Sequence, residues 1–221
     1  MQDRIYIFSG HFGSGKTEVA LNFALAKAAA KQQVSVVDMD TVNPYFRTYD
    51  AKAALEKQNI RVIASPFAGS NVDMPIVPAQ VQSVFQNPGL TAVFDVGGDD
   101  DGARALGVYA DQIRQEKYQM YFVVNTSRPL TRTWEELLEL SGQIEKASKL
   151  RFTGIVNNTN LGRLTDPQTL LSRYGQILKL SEKMGIPLVM HTGTAQNVSH
   201  LAGAVEEPVF PIEIQVKLPF E

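Results

Sequence analysis

Apolar residues fall along this chain in short unbroken runs, separated by stretches of helical periodicity. The runs lie at 5–9, 34–38, 60–65, 91–96, 120–125, 152–157 and 188–192. Strands with one wet face alternate apolar and polar, so continuous runs predict strands buried on both faces of a parallel sheet. Between them, residues 17–30 are Ala-rich, with Val19, Phe23 and Ala26 on one helical face. Residues 133–147 are amphipathic, with Trp134, Leu137, Leu138 and Leu140 as a packing face. Asp166 and Pro167 supply an N-cap and a first-turn proline for a helix running to about Lys183, and Gly185 then Pro187 stop it. The alternation predicts an α/β fold: a three-layer sandwich whose mostly parallel central sheet has about seven strands, with helices on both faces. No repeat, low-complexity stretch or linker interrupts it, so residues 1–221 read as one domain. The loosest stretch is 65–78, with three prolines. The proline-punctuated tail, 208–221, is expected to pack as an extended edge.

Composition narrows the chemistry. Hydrophobic residues make up 44% and charged residues 20%, an ordinary globular balance. The formal net charge of −2 offers no global basic field to hold nucleic acid. The absence of cysteine excludes disulfides, thiolate metal sites and a Cys-ligated iron–sulfur cluster on this chain. The N-terminus enters a strand without a signal-peptide layout, and no apolar run approaches about 18 residues, so no transmembrane segment is expected and the cytoplasm is the default location.

The first candidate site is Gly10-His11-Phe12-Gly13-Ser14-Gly15-Lys16-Thr17, which matches G-x-x-x-x-G-K-[ST] between a predicted strand and a predicted helix. Glycines let successive backbone N–H groups turn inward around phosphate oxygens, and the helix N-terminus adds its partial positive charge. Lys16 is expected to reach the β- and γ-phosphates and the Thr17 hydroxyl to ligate Mg²⁺, with Glu18 beside them. The fold expectation thereby becomes P-loop NTPase-like.

Carboxylates at strand ends face the same edge, because every strand of a parallel sheet ends on one side. Asp38 and Asp40 close V-S-V-V-D-M-D, and Asp95 closes T-A-V-F-D. Asp95 fits a Walker B carboxylate acting on Mg²⁺, Asp38 stands to share that shell by position, and Asp40 is placed to orient an attacking water. Gly98 completes D-x-x-G, where a bare backbone N–H can approach a γ-phosphate. The alternative for each carboxylate is a helix cap. Asp99, Asp100 and Asp101 form an acidic run that reads as solvated surface, or as a switch loop for a basic partner.

These residues together resemble the MinD/ParA/CobQ-type ATPases, within the class of P-loop proteins that includes nitrogenase iron protein and signal-recognition GTPases. The carriers are G-H-F-G-S-G-K-T, V-V-D-M-D, F-D-V-G-G and G-I-V-N-N, from Ile5 to about Leu201. The resemblance implies an ATP-dependent switch that acts on an unidentified protein partner, often as a nucleotide-dependent face-to-face homodimer. Lys16 and Thr17 take the phosphate and magnesium positions, Asp38 and Asp40 the second acidic motif, and Asp95 the Walker B position. The chain departs from the family at position 11, where His11 stands in place of a signature lysine. His11 is shorter than lysine but can offer one hydrogen bond to phosphate. The tail also lacks a membrane-seeking helix.

For the base, Asn157-Asn158-Thr159-Asn160 follows a late strand. Guanine readers of the N-K-x-D type use an aspartate where this chain has Asn160, whose amide cannot accept two N–H donors equally well. Asn158 can pair with an adenine edge, so ATP is favoured, with Mg²⁺ as its metal. The alternative is that these asparagines shape a turn. Residues 192–197 are expected to form the other wall of the base pocket. Residues 41–47 read as a switch segment in which Arg47 approaches a γ-phosphate or a partner carboxylate; the alternative is a surface arginine beside a packed Tyr45–Phe46 pair. His191 and His200 have no metal-binding companions and read as structural. Two other functions share the scaffold: a small-molecule kinase or ligase of the dethiobiotin synthetase type, using 65–77 as its acceptor pocket, and a nucleotide-binding regulator with negligible turnover.

Overall fold

Along the first strand, Ile5 and Ile7 enter one apolar cluster while Tyr6 and Phe8 enter another. A strand that buries alternate residues on opposite sides must lie inside a sheet covered on both faces. The computed structural model describes residues 3–40, 48–64, 79–98, 100–201 and 203–216. The expected switch segment with Arg47, the loop 65–78, Asp99 and the last five residues lie outside the described residues.

Among the described residues the sheet has eight strands, all paired in parallel. In spatial order they are β3 (Ile60–Ile63), β2 (Gln33–Met39), β4 (Leu90–Val96), β1 (Ile5–Ser9), β5 (Tyr118–Val124), β6 (Gly154–Asn157), β7 (Leu188–Gly193) and β8 (Val209–Pro211). The seven predicted runs are all strands. The eighth comes from the tail, where Val209–Pro211 adds a short extended edge beside β7. From β1 the chain builds toward the β3 edge, and after β4 it crosses to the other side of β1. This reversal opens a crevice at the C-terminal ends of the central strands.

The helices α1 (Lys16–Ala29) and α2 (Lys52–Lys57) cover one face, around Val19, Leu21, Leu55 and Phe8. The other face carries α3 (Gln82–Gln86), α4 (Asp100–Gly107), α5 (Ala110–Arg114), α6 (Trp134–Ser148) and α8 (Tyr174–Met184), while Leu170 of α7 (Pro167–Leu171) packs in a separate small cluster with Val198 and Leu201. Leu106, Ile113, Leu137 and Ile177 from this set pack on Ile7, Phe94 and Phe122. The helix expected from Asp166 to Lys183 is therefore two helices. Asp166 caps the first as expected, its side chain accepting from the Thr169 amide at 2.7 Å. The Ser172 hydroxyl then donates to the Thr169 carbonyl at 2.8 Å, a local bond that competes with the helical ladder, and Arg173 leaves helical geometry. The described part of the acidic run is solvated surface, as expected: Asp100 and Asp101 are both exposed. Asp100 and Asp101 form the first turn of α4 and both pair with Arg104. Among the described residues, no helix is long and apolar enough to cross a membrane.

Candidate functional site

The loop of residues 10–15 links the end of β1 to the start of α1 at the centre of the sheet. Its last residue, Gly15, sits at φ 85°, a left-handed backbone that L side chains rarely adopt. A Cβ there would also fall 2.3 Å from the Asn158 side-chain nitrogen. Lys16 follows as the first helical residue and is only 6% exposed. Its ammonium donates to the His11 carbonyl at 3.4 Å, folding back over the loop.

Behind the loop lie the carboxylates. Asp38 and Asp95 are register partners on adjacent strands, so their side chains share one sheet face. Asp95 is 1% exposed. Its Oδ2 accepts from the Thr48 hydroxyl at 3.0 Å, while Oδ1 is buried with no hydrogen bond of ordinary geometry. Burial pushes the Asp95 carboxyl up to about 6; Lys16 and the hydroxyls of Thr17 and Thr48 hold it down, and Asp40 adds to the rise. Asp38 Oδ1 accepts from the Asp40 amide at 3.0 Å, closing a tight turn at the end of β2.

This donor set fits a small divalent cation. A buried carboxylate oxygen with an open valence lies near the Thr17 hydroxyl and a second strand-end carboxylate, all of them hard oxygen ligands. Among the described residues, no group of three or more His, Asp or Glu is arranged to hold a metal alone. Mg²⁺ suits such a site, because it keeps waters and shares nucleotide oxygens rather than demanding a protein cage. Thr17, Asp38 and Asp95 would hold it, directly or through water, and the ion would neutralise phosphate charge.

The remaining predicted residues are placed as follows. Gly98 lies against the loop: a Cβ there would fall 2.5 Å from the Phe12 nitrogen and 2.8 Å from its Cα. Gly98→Ala is expected to push the phosphate loop out of shape, weakening nucleotide binding at least about tenfold and lowering stability by about 1–3 kcal/mol. Calorimetry beside a thermal melt checks both. His11 Nδ1 lies 2.7 Å from the Phe12 carbonyl. A carbonyl only accepts, so Nδ1 carries a proton. In this orientation the Nδ1 proton is turned to the loop backbone. Ser14 is buried, with an unpartnered hydroxyl. Glu18 turns to the C-terminal segment, accepting from the Gln215 and Val216 amides at 2.8 and 2.9 Å.

Asn158 is 2% exposed and braces the loop. Its nitrogen donates to the Ser14 carbonyl and its oxygen accepts from the Thr192 hydroxyl, both at 2.8 Å. One N–H and one lone pair remain for any base. Asn125 and Asn160 knit the neighbouring turns together: Asn125 donates to the Asn160 carbonyl at 3.1 Å and accepts from its amide at 3.2 Å. His191 is fully buried between Asn157, at 2.9 Å, and Glu207, at 3.2 Å, and burial lowers its pKa. It is a packed core group, as its isolation suggests. Sequence reading missed two residues that complete the site. Thr48 holds Asp95, and Arg128 donates from Nε to the Gly13 carbonyl at 3.1 Å.

The fold is that of P-loop NTPases. Over 89% of its length the chain superposes on the cell division protein FtsY of Thermotoga maritima, covering 64% of that chain with a TM-score of 0.60 and 17% identity. It matches 43% of the signal recognition particle 54 kDa protein of Aeropyrum pernix, in complex with GDP, over 89% of its own length (TM-score 0.54, 15% identity). A nucleotide-binding protein of Archaeoglobus fulgidus in complex with ADP is matched over 86% of its length and 91% of this chain (TM-score 0.52, 16% identity). The chain spans less than two thirds of FtsY and less than half of the 54 kDa protein. No protein-family model and no curated protein matches the sequence.

Proposed function

We propose that this chain binds Mg-ATP and hydrolyses it slowly, as a conformational switch of the MinD/ParA type that acts on a protein partner. The observation that carries the reading is the Asp95 carboxylate. It is buried at the end of β4 with one oxygen unmatched, behind a phosphate loop whose lysine and threonine lean on it. A buried anion with an open valence is costly unless a cation completes it, and magnesium on a nucleotide phosphate does so. The solved structures that share the fold include one with GDP and one with ADP, which supports nucleotide in this crevice.

Adenine is favoured over guanine by Asn160, which stands where a guanine reader needs a carboxylate. Asn158, with one donor and one acceptor still open, is the adenine partner we assign. Asp40, beside Asp38 at the end of β2, orients the attacking water. The resemblance to that family supports a homodimer that closes over nucleotide.

The direct test is calorimetry of the full chain with ATP and with GTP in magnesium, followed by a phosphate-release assay. Heat with ATP and a slow release rate support the reading; no heat with either nucleotide removes it. Asp40→Ala is expected to keep ATP affinity within about threefold while slowing hydrolysis about a hundredfold, in the range set by one general-base or water-orienting group. An unaltered rate takes Asp40 out of the mechanism.

A further inference from the structure

The segment after β5 is built to hold one side chain against the phosphate loop. Asn125 closes it into a turn: its side-chain oxygen accepts from the Ser127 amide at 3.0 Å, and its carbonyl accepts from the Arg128 amide at 3.3 Å. The Thr131 hydroxyl, buried, also donates to the Asn125 carbonyl at 2.7 Å. Leu130 sits at φ 64°, a left-handed backbone costing a branched residue about 1–2 kcal/mol. Such strain persists where surrounding bonds over-determine the turn.

From this turn Arg128 reaches across to residue 13. Nε donates to the Gly13 carbonyl, and the guanidinium carbon lies 3.8 Å from where a Cβ on Gly13 would stand. Guanidinium carries five N–H donors. Only Nε is engaged among the described residues, so both terminal nitrogens stay available beside the loop. The charge balance of the crevice asks for such a group. A triphosphate brings about four negative charges to a site that already holds Asp38, Asp40 and Asp95. Lys16 lies on the inner side, its ammonium engaged with the Asp95 carboxylate field. On the outer side the Nδ1 proton of His11 is spent on the Phe12 carbonyl.

Resting on the nucleotide reading above, we infer that Arg128 is a phosphate-contacting residue. With Nε anchored on Gly13, its terminal nitrogens donate to the last phosphate of the bound nucleotide, so the site prefers triphosphate to diphosphate. Planar guanidinium matches paired phosphate oxygens better than ammonium does. The anchor costs nothing in reach, since it fixes the fork at the loop before the ligand arrives.

The experiment compares wild type, Arg128→Gln and Arg128→Ala by calorimetry, in magnesium, with ATP, ADP, GTP and GDP. Arg128 is exposed, so the apo melting temperature serves as a fold control. Glutamine keeps a donor for the Gly13 carbonyl and loses the charge. Both variants are expected to lose triphosphate affinity about tenfold to a hundredfold, with diphosphate affinity shifting less than about threefold. If glutamine retains wild-type triphosphate affinity, or if both affinities fall equally, Arg128 only braces the loop and this inference is overturned. If wild type itself binds no nucleotide, the reading of the site fails with it, a result distinct from either of those.

Discussion

Lys16→Ala is expected to lower Mg-ATP affinity by roughly a hundredfold to a thousandfold, to the edge of detection in calorimetry. Lys16 is the buried cation of the phosphate loop: its stem is covered and its ammonium folds back on the His11 carbonyl. When phosphate enters, the ammonium exchanges a long carbonyl contact for charge-assisted bonds. Removing one partner of such a desolvated pair costs about 3–5 kcal/mol. The loss is larger than for an exposed lysine, where water screens the pair and the change stays below about 1 kcal/mol. The apo fold is expected to survive, because Asp95, deprived of its nearest cation, takes up a proton more readily. An unchanged ATP affinity in this variant would show that phosphate does not sit in the loop.

Much of this architecture is legible along the chain, because burial on both faces leaves a local trace. V-S-V-V-D and T-A-V-F-D are continuous apolar runs ending in acids, and each became a parallel strand with its carboxylate at the crevice. The phosphate loop is equally local: glycine, lysine and threonine at fixed spacing between strand and helix. The residues that complete the site are not local. Thr48 meets Asp95 from 47 positions away, and Arg128 meets Gly13 from 115. Nothing in T-Y-D or S-R-P-L marks them, since a threonine or arginine contact is decided by where a loop lands. Glu18 teaches the same point from the other side. Its place next to Thr17 suggests the nucleotide, yet its carboxylate binds tail amides 197 and 198 positions later. The helix break at Ser172 and Arg173 escaped because serine is tolerated in helices and no proline or glycine stands between Gln168 and Tyr174. In the acidic run both features are legible: the charge marks an exposed surface, and Asp100 and Asp101 stand four and three residues before Arg104, helical spacing for ion pairs.

The Asp95→Asn variant is expected to separate stability from function in opposite directions. Burial lifts the Asp95 carboxyl from 3.8 in the unfolded chain to about 6 in the fold. The folded state therefore binds the proton more tightly, and wild-type stability falls as pH rises through the window from about 4 to about 6. Above that window the ionised carboxylate costs the apo fold about 3 kcal/mol, because proton affinity rises roughly a hundredfold on folding and each factor of ten is worth about 1.4 kcal/mol. Asparagine is nearly isosteric, keeps an oxygen for the Thr48 hydroxyl and carries no charge. The apo variant should melt several degrees above wild type at pH 7.5. That advantage should shrink as pH falls through 6 and vanish near pH 4, where wild type is protonated as well. Function moves the other way: the neutral amide has no charge to offer magnesium, so magnesium should no longer tighten ATP binding. A melt at pH 7.5 in which the variant is less stable than wild type would mean that Lys16 already compensates the buried anion. The open oxygen of Asp95 would then be an ordinary core feature rather than a place kept for a cation.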